Sequence, residues 1–147
     1  MLTDIQYNTY KKEGNVMEKE EITPSEWLIM EVLWASNTPL TSSEVIKKMQ
    51  GNVDMSARMV RVLMNRLSQK DILGYTVDEH DSRVYHYYVL KQKEECVKEK
   101  SRKFVDSYFS GSGTNAMAAL LQSFDLTDEQ IEELEEILEK SKGKGKE

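Results

Sequence analysis

The sequence predicts a mainly α (α+β) chain, a winged helix-turn-helix followed by a C-terminal three-helix dimerisation domain. Three observations predict it. Three capped amphipathic segments follow one another between Ile22 and Lys70. The apolar period then switches from about 3.6 to 2 between Tyr75 and Leu90, and from Lys91 onward it returns to the helical value in three pieces. The expected organisation is a flexible N-terminal arm over 1–20, a winged domain over 21–91, a helical dimerisation domain over 92–141 and a disordered tail over 142–147.

Residues 1–20 are polar and sustain no period, and Met17 offers a second start. The first helix opens at Pro24. Thr23 is placed to cap it, Glu26 completes a capping box, and Ile22 and Trp27 bracket the start as a hydrophobic staple. Trp27, Met30, Leu33 and Trp34 supply its inward stripe before Asn37-Thr38-Pro39 ends it. Leu40-Thr41-Ser42-Ser43-Glu44-Val45 repeats the staple and box. That second helix is expected to reach about Gln50, with Gly51 as a left-handed stop and Val45, Ile46 and Met49 facing the core.

Ser56 caps the third helix, in which Val60, Leu63, Met64 and Leu67 fall on one face. At 3.6 residues per turn Arg58, Arg61, Val62, Asn65 and Gln69 point the other way, with Met59 and Arg66 on a flank. From Ser56 to Lys70 the bases are Arg58, Arg61, Arg66 and Lys70 and there are no acids, so the segment carries +4 in a chain of net charge −6. A helix face of arginine and asparagine without carboxylates suits the major groove of double-stranded DNA. Arginine pairs with guanine, asparagine with adenine, and a valine methyl meets the thymine methyl. The base-reading candidates are therefore Arg58, Arg61, Val62 and Asn65, and the backbone candidates are Ser56, Arg66, Lys70 and, on the wing, Arg83. Tyr75 and Val77, an acidic turn from Asp78 to Ser82, and the tyrosine-rich run from Val84 to Leu90 read as the wing hairpin.

Three helical pieces follow. Val97, Phe104, Val105 and Tyr108 mark the first, Met117, Leu120, Leu121 and Phe124 the second, and Ile131, Leu134, Ile137 and Leu138 the third, which Thr127 and Gln130 cap. About fifty residues are too few to bury three such stripes alone, so a second copy of the chain is the expected partner. The dimerisation candidates are Phe104, Tyr108, Met117, Leu120, Leu121, Phe124, Ile131, Leu134 and Leu138. Eight acids against one lysine between Asp125 and Lys140 make the last helix strongly acidic.

Composition excludes several classes. One cysteine, Cys96, allows no internal disulfide, and its neighbours Glu94, Glu95 and Glu99 disfavour a reactive thiolate. The longest apolar run, Trp27–Trp34, is interrupted by Glu31 and too short for a bilayer, so no membrane insertion is expected and the cytoplasm is the expected compartment. His80 and His86 have no ligand set in ordered spacing around them, so no metal or cofactor is expected. Phosphate loops, nucleophile elbows and HExxH-type motifs do not occur, and no enzymatic activity is expected.

Glu26-Trp27 with Met30 and Trp34, Arg66-Leu67 with Lys70, and Glu132-Glu133-Leu134 with Ile137-Leu138 resemble the penicillinase-repressor (BlaI/MecI/CopY) family of bacterial transcription regulators, over roughly Ile22 to Lys140. The resemblance implies a homodimeric repressor of a pseudo-palindromic operator, with a winged helix and a helical dimerisation domain. It also implies a partner, a membrane sensor protease, which in antibiotic-responsive members cuts an Asn-Phe bond. The matching pair here is Ser123-Phe124, the candidate proteolytic switch. Met59 and Val62 stand where family members often carry threonines, and the paired C-terminal cysteines of copper-responsive members are missing. Two alternatives stay open: a ligand-sensing regulator of the multiple-antibiotic-resistance (MarR) type, disfavoured because residues 1–20 lack an apolar stripe, and a protein-interaction module that does not bind DNA.

Overall fold

The structure, a computed structural model, describes residues 21–144. The expectations for residues 1–20 and for 145–147 lie outside that range. The chain forms two compact units, one ending at Cys96 and the other starting at Val97.

Helix α1, Pro24–Trp34, begins where its cap dictates. The Thr23 hydroxyl accepts from the Glu26 N–H at 3.2 Å and the Glu26 carboxylate accepts from the Thr23 N–H at 2.9 Å. This helix is apolar around most of its circumference, so it buries Ile29 beside Met30 and Leu33. Trp27 and Trp34 sit half-buried at the edge, their rings edge to face at 5.1 Å. Helix α2, Ser42–Met49, repeats the box with Thr41 and Glu44 and buries Val45 and Met49. Gly51 turns the chain with a φ of 83°, a conformation open to glycine at little cost.

Helix α3, Ala57–Gln69, is capped by the Ser56 hydroxyl, which accepts from the Met59 N–H at 3.1 Å, and buries the four expected residues Val60, Leu63, Met64 and Leu67. It ends in a Schellman motif. Asp71 takes a φ of 59°, its N–H reaches the Ser68 carbonyl, and the Ile72 N–H reaches the Leu67 carbonyl. That turn drives Ile72 into the core and starts the hairpin.

Strands β1, Leu73–Val77, and β2, Tyr85–Val89, pair antiparallel with Tyr75 opposite Tyr87. Leu40, in the loop before α2, exchanges two backbone hydrogen bonds with Tyr87 (2.9 and 2.8 Å) and so ties that loop to the wing. Gly74 lies under the Tyr88 ring, where an added Cβ would collide with it. The three helices and the root of the hairpin enclose one core.

In the second unit, α4 (Lys93–Phe109, shared with the first unit through Cys96) is followed by α5, Gly113–Ser123, and α6, Asp128–Ser141. Ser110 and Gly111, both with positive φ, turn the chain between α4 and α5. Ser112 caps α5, and Thr127 with Gln130 forms the expected box on α6. Among the described residues of this unit only Ala116 is buried. The tail expected to be disordered opens with a turn over Lys142–Lys144.

Candidate nucleic-acid interface

The buried face of α3 fixes the helix so that its opposite face is presented to solvent. Arg58, Arg61, Val62, Asn65 and Gln69 are all exposed on it, with Met59 and Arg66 exposed on the flank. Among the described residues the side chains of Arg58, Arg61, Asn65 and Arg66 have no hydrogen-bonding or ionic partner. Their donors face water, and no carboxylate of α3 competes for them. Ser56 accepts a hydrogen bond as the cap, which leaves its own hydroxyl proton free to donate. The four base-reading candidates, Ser56 and Arg66 are thus brought together on one element.

Lys70 is not among them. Its ammonium donates to Glu26 Oε1 at 2.6 Å and to the Glu21 carbonyl at 2.8 Å, with the Lys70 side chain 9% exposed and Glu26 wholly buried. The side chain expected to face a phosphate is instead engaged in an interior ion pair that ties the end of α3 to the start of α1. A helical projection contains the signal, since Lys70 lies only roughly 70° from the centre of the buried stripe.

Arg83 is also engaged. Its Nε and Nη2 donate to Oδ1 and Oδ2 of Asp81 at 3.0 and 3.1 Å, a bidentate pair on an otherwise exposed side chain. This pairing holds the Asp81 carboxyl below the usual carboxylate range. Asp78 organises the same turn: Oδ2 accepts from the His80 and Asp81 N–H groups at 3.0 and 3.1 Å, and Oδ1 pairs with His86 Nε2 at 2.8 Å. The acids of the wing tip therefore shape the turn. Beside them Tyr75 and Tyr85 stack at 4.6 Å on the exposed part of the hairpin face that Tyr87 anchors, an arrangement that alternation predicts only in outline.

In the second unit the dimerisation candidates Phe104, Tyr108, Met117, Leu120, Leu121, Phe124, Ile131, Leu134 and Leu138 are all exposed in the single chain. Ser123 is the last residue of α5, its hydroxyl donating to the Ala119 carbonyl at 2.6 Å, and Phe124 leaves the helix in extended backbone. Among the described residues no cluster of His, Cys, Asp or Glu is arranged to hold a metal ion, and no helix is long and apolar enough to cross a membrane.

The sequence profile of the penicillinase repressor family matches residues 22–140. The chain belongs to the penicillinase repressor family. Its relatives there include the methicillin resistance regulatory protein MecI of Staphylococcus aureus (strain N315), 27% identical over 120 residues that cover 82% of this chain and 94% of MecI. The penicillinase repressor of Bacillus licheniformis is 26% identical over 127 residues, covering 86% of this chain and 96% of the relative. Among solved structures, the DNA-binding domain of the repressor BlaI aligns at 22% identity and a TM-score of 0.45, over 52% of this chain and 88% of that domain. A mutant of S. aureus MepR bound to an oligodeoxyribonucleotide aligns at 19% identity and a TM-score of 0.46, over 95% and 96% of the two chains. Membership of a repressor family, not an enzyme family, selects the penicillinase-repressor reading over both alternatives.

Proposed function

We propose that this penicillinase repressor family member is a homodimeric transcriptional repressor in the cytoplasm, and that each copy lays α3 in the major groove of a pseudo-palindromic operator. One observation carries the reading. Helix α3 is held by a fully buried face while the Arg58, Arg61 and Asn65 side chains stand opposite, exposed and without intramolecular partners. Elsewhere on a protein such arginines are solvated decoration. On the third helix of a helix-turn-helix they are placed to meet base edges. Arg58, Arg61, Val62 and Asn65 read bases, whereas Ser56 and Arg66 hold phosphates and supply the salt-dependent part of the affinity. Lys70 is left out of the contact set because a buried carboxylate already holds it, whereas Arg83, in an exposed pair with Asp81 that a phosphate can displace, stays a backbone contact on the wing.

The homodimer is supported by the apolar faces of α4, α5 and α6, which the single chain leaves in water. Linking two half-site contacts makes the second one intramolecular, so a signal that parts the C-terminal helices releases DNA. A membrane sensor protease cutting at Ser123-Phe124 is one such signal. The observation favouring it is that this bond leaves α5 in exposed, extended backbone, the form a protease cleft takes. Mass spectrometry of the chain recovered from induced cells would locate a cut there, and an intact chain after induction would remove this route.

Selection of bound duplexes from a random DNA pool by the purified full chain tests the reading as a whole. A recovered motif with two-fold symmetry is the expected result. Failure to enrich any sequence would overturn it.

A further inference from the structure

We propose that Met59 and Val62 form an apolar lane on α3 that reads the 5-methyl groups of two neighbouring pyrimidines, thymines in ordinary DNA. Met59 is then a specificity-determining residue beside Arg58, Arg61, Val62 and Asn65. The inference rests on the groove-binding reading of α3 above. At 3.6 residues per turn the outer face of α3 divides into two lanes: Arg58, Arg61 and Asn65 line one, and Met59 and Val62, followed by Arg66, line the other. The fold leaves Met59 47% and Val62 39% exposed, whereas Met64 is buried in the core and Met55 packs against it.

A single apolar side chain in water is ordinary on any protein surface. Here two follow one another in one lane, and their surroundings name the partner. Arg58, Arg61 and Arg66 flank them, and no carboxylate lies on α3, so the surface around the lane is matched to a polyanion. Residues three apart on a helix are neighbours, with Cβ atoms about 5–6 Å apart. Successive base pairs lie about 3.4 Å apart along the duplex, so the two side chains together reach two neighbouring positions.

Thymine is the one base whose major-groove edge carries an apolar group, its C5 methyl, while the other three present hydrogen-bonding atoms alone. Methionine and valine offer no strong donor or acceptor. They therefore discriminate by burying that methyl and by desolvating any polar edge set against them. Val62 is stiff at χ1 and holds its methyls in place, whereas the unbranched Met59 bends to the methyl it meets. What the lane registers is the methyl and not the base, so 5-methylcytosine, which carries the same group, is recognised as well.

The test uses the full chain and the operator recovered from the random pool, with changes made in one half-site at a time. Deoxyuridine replaces each thymine in turn, which removes the methyl and keeps every hydrogen-bonding atom of the base. Replacement at two neighbouring base pairs is expected to lower affinity about fourfold each, the worth of one buried methyl. Met59→Ala is expected to remove the loss at one of these positions and Val62→Ala at the other. Both variants keep the fold, because the side chains are exposed and alanine is the best helix former. At either position 5-methylcytosine is expected to bind the wild type about fourfold better than cytosine does, and the matching alanine variant is expected to bind the two alike. A selected half-site without neighbouring thymine-bearing base pairs, uracil tolerated at every position, or uracil sensitivity that both alanine variants retain overturns the inference while leaving the repressor reading intact. Absence of any selected sequence for the wild type overturns both.

Discussion

Replacing Lys70 by methionine separates an interior role from a DNA-binding one. The substitution keeps most of the side-chain volume and removes the charge that faces Glu26 at 2.6 Å. At an effective dielectric constant near 20 the gross attraction at that distance is about 6 kcal/mol, most of it offset by the cost of taking both groups out of water. Removing one partner forfeits the attraction but not the burial. Glu26 would keep its hydrogen bond from the Thr23 N–H, with Oε2 already lacking a partner and Oε1 losing the ammonium. Removing one partner of such a pair costs about 3–5 kcal/mol, and the remaining bond at the cap places Lys70→Met at the lower end, about 3 kcal/mol. With a urea slope of about 1–3 kcal/mol/M the denaturation midpoint falls by roughly 1–3 M. Combining it with Glu26→Gln should cost less than the sum of the two single changes. In a titration of operator binding against salt, the folded Lys70→Met protein should keep the wild-type slope. A midpoint shift below about 0.3 M together with a shallower salt slope would refute the reasoning and return Lys70 to the phosphates.

Arg61→Ala and Asn65→Ala should each cost about 1–3 kcal/mol of discrimination at one operator position in gel-shift titrations, and unchanged sequence preference in both would sink the groove assignment. Arg66→Ala should instead weaken all sequences alike and reduce the salt slope by about one. Leu121→Asp or Leu134→Asp, each placing a charge on an exposed apolar face, should give monomers by sedimentation equilibrium, and persistent dimers would move the interface elsewhere. The hydrogen bond from His86, then that from the His80 N–H, holds the Asp78 carboxyl below the usual range. With the folded value depressed, the wing turn is supported above the ordinary carboxylate pKa and loses that support as pH falls through the lowered one. Amide shifts of His80 and Asp81 should report this acid transition by NMR, and Asp78→Asn should abolish it.

Much of the winged domain is legible in the sequence because its determinants are local. Each cap lies within three residues of the N–H it satisfies, which is why the starts of α1, α2, α3 and α6 follow from Thr23, Thr41, Ser56 and Thr127. The recognition face is equally local, since a period of 3.6 with no acid in the run separates Val60, Leu63, Met64 and Leu67 from Arg58, Arg61 and Asn65. Helix α1 reads less well. Apolar residues surround it, so periodicity does not separate buried Ile29 from half-buried Trp27. The Leu40 bridge to Tyr87 is a single residue pair with no pattern to betray it.

The sequence by itself determined the order of the elements, the sign of the charge on α3 and the residues that face away from its core. Tertiary structure decided which of the charges remain available. Lys70 meets Glu26 across 44 positions, Trp34 meets the Lys91 carbonyl across 57, and Lys93 meets Glu31 across 62. No local preference encodes these meetings. They arise when helix packing brings distant segments within hydrogen-bond reach, where a buried carboxylate captures the nearest ammonium before solvent or a phosphate can. For that reason Arg58, Arg61 and Asn65 stay free on the outer face of α3 while Lys70, one residue beyond the same helix, is turned inward.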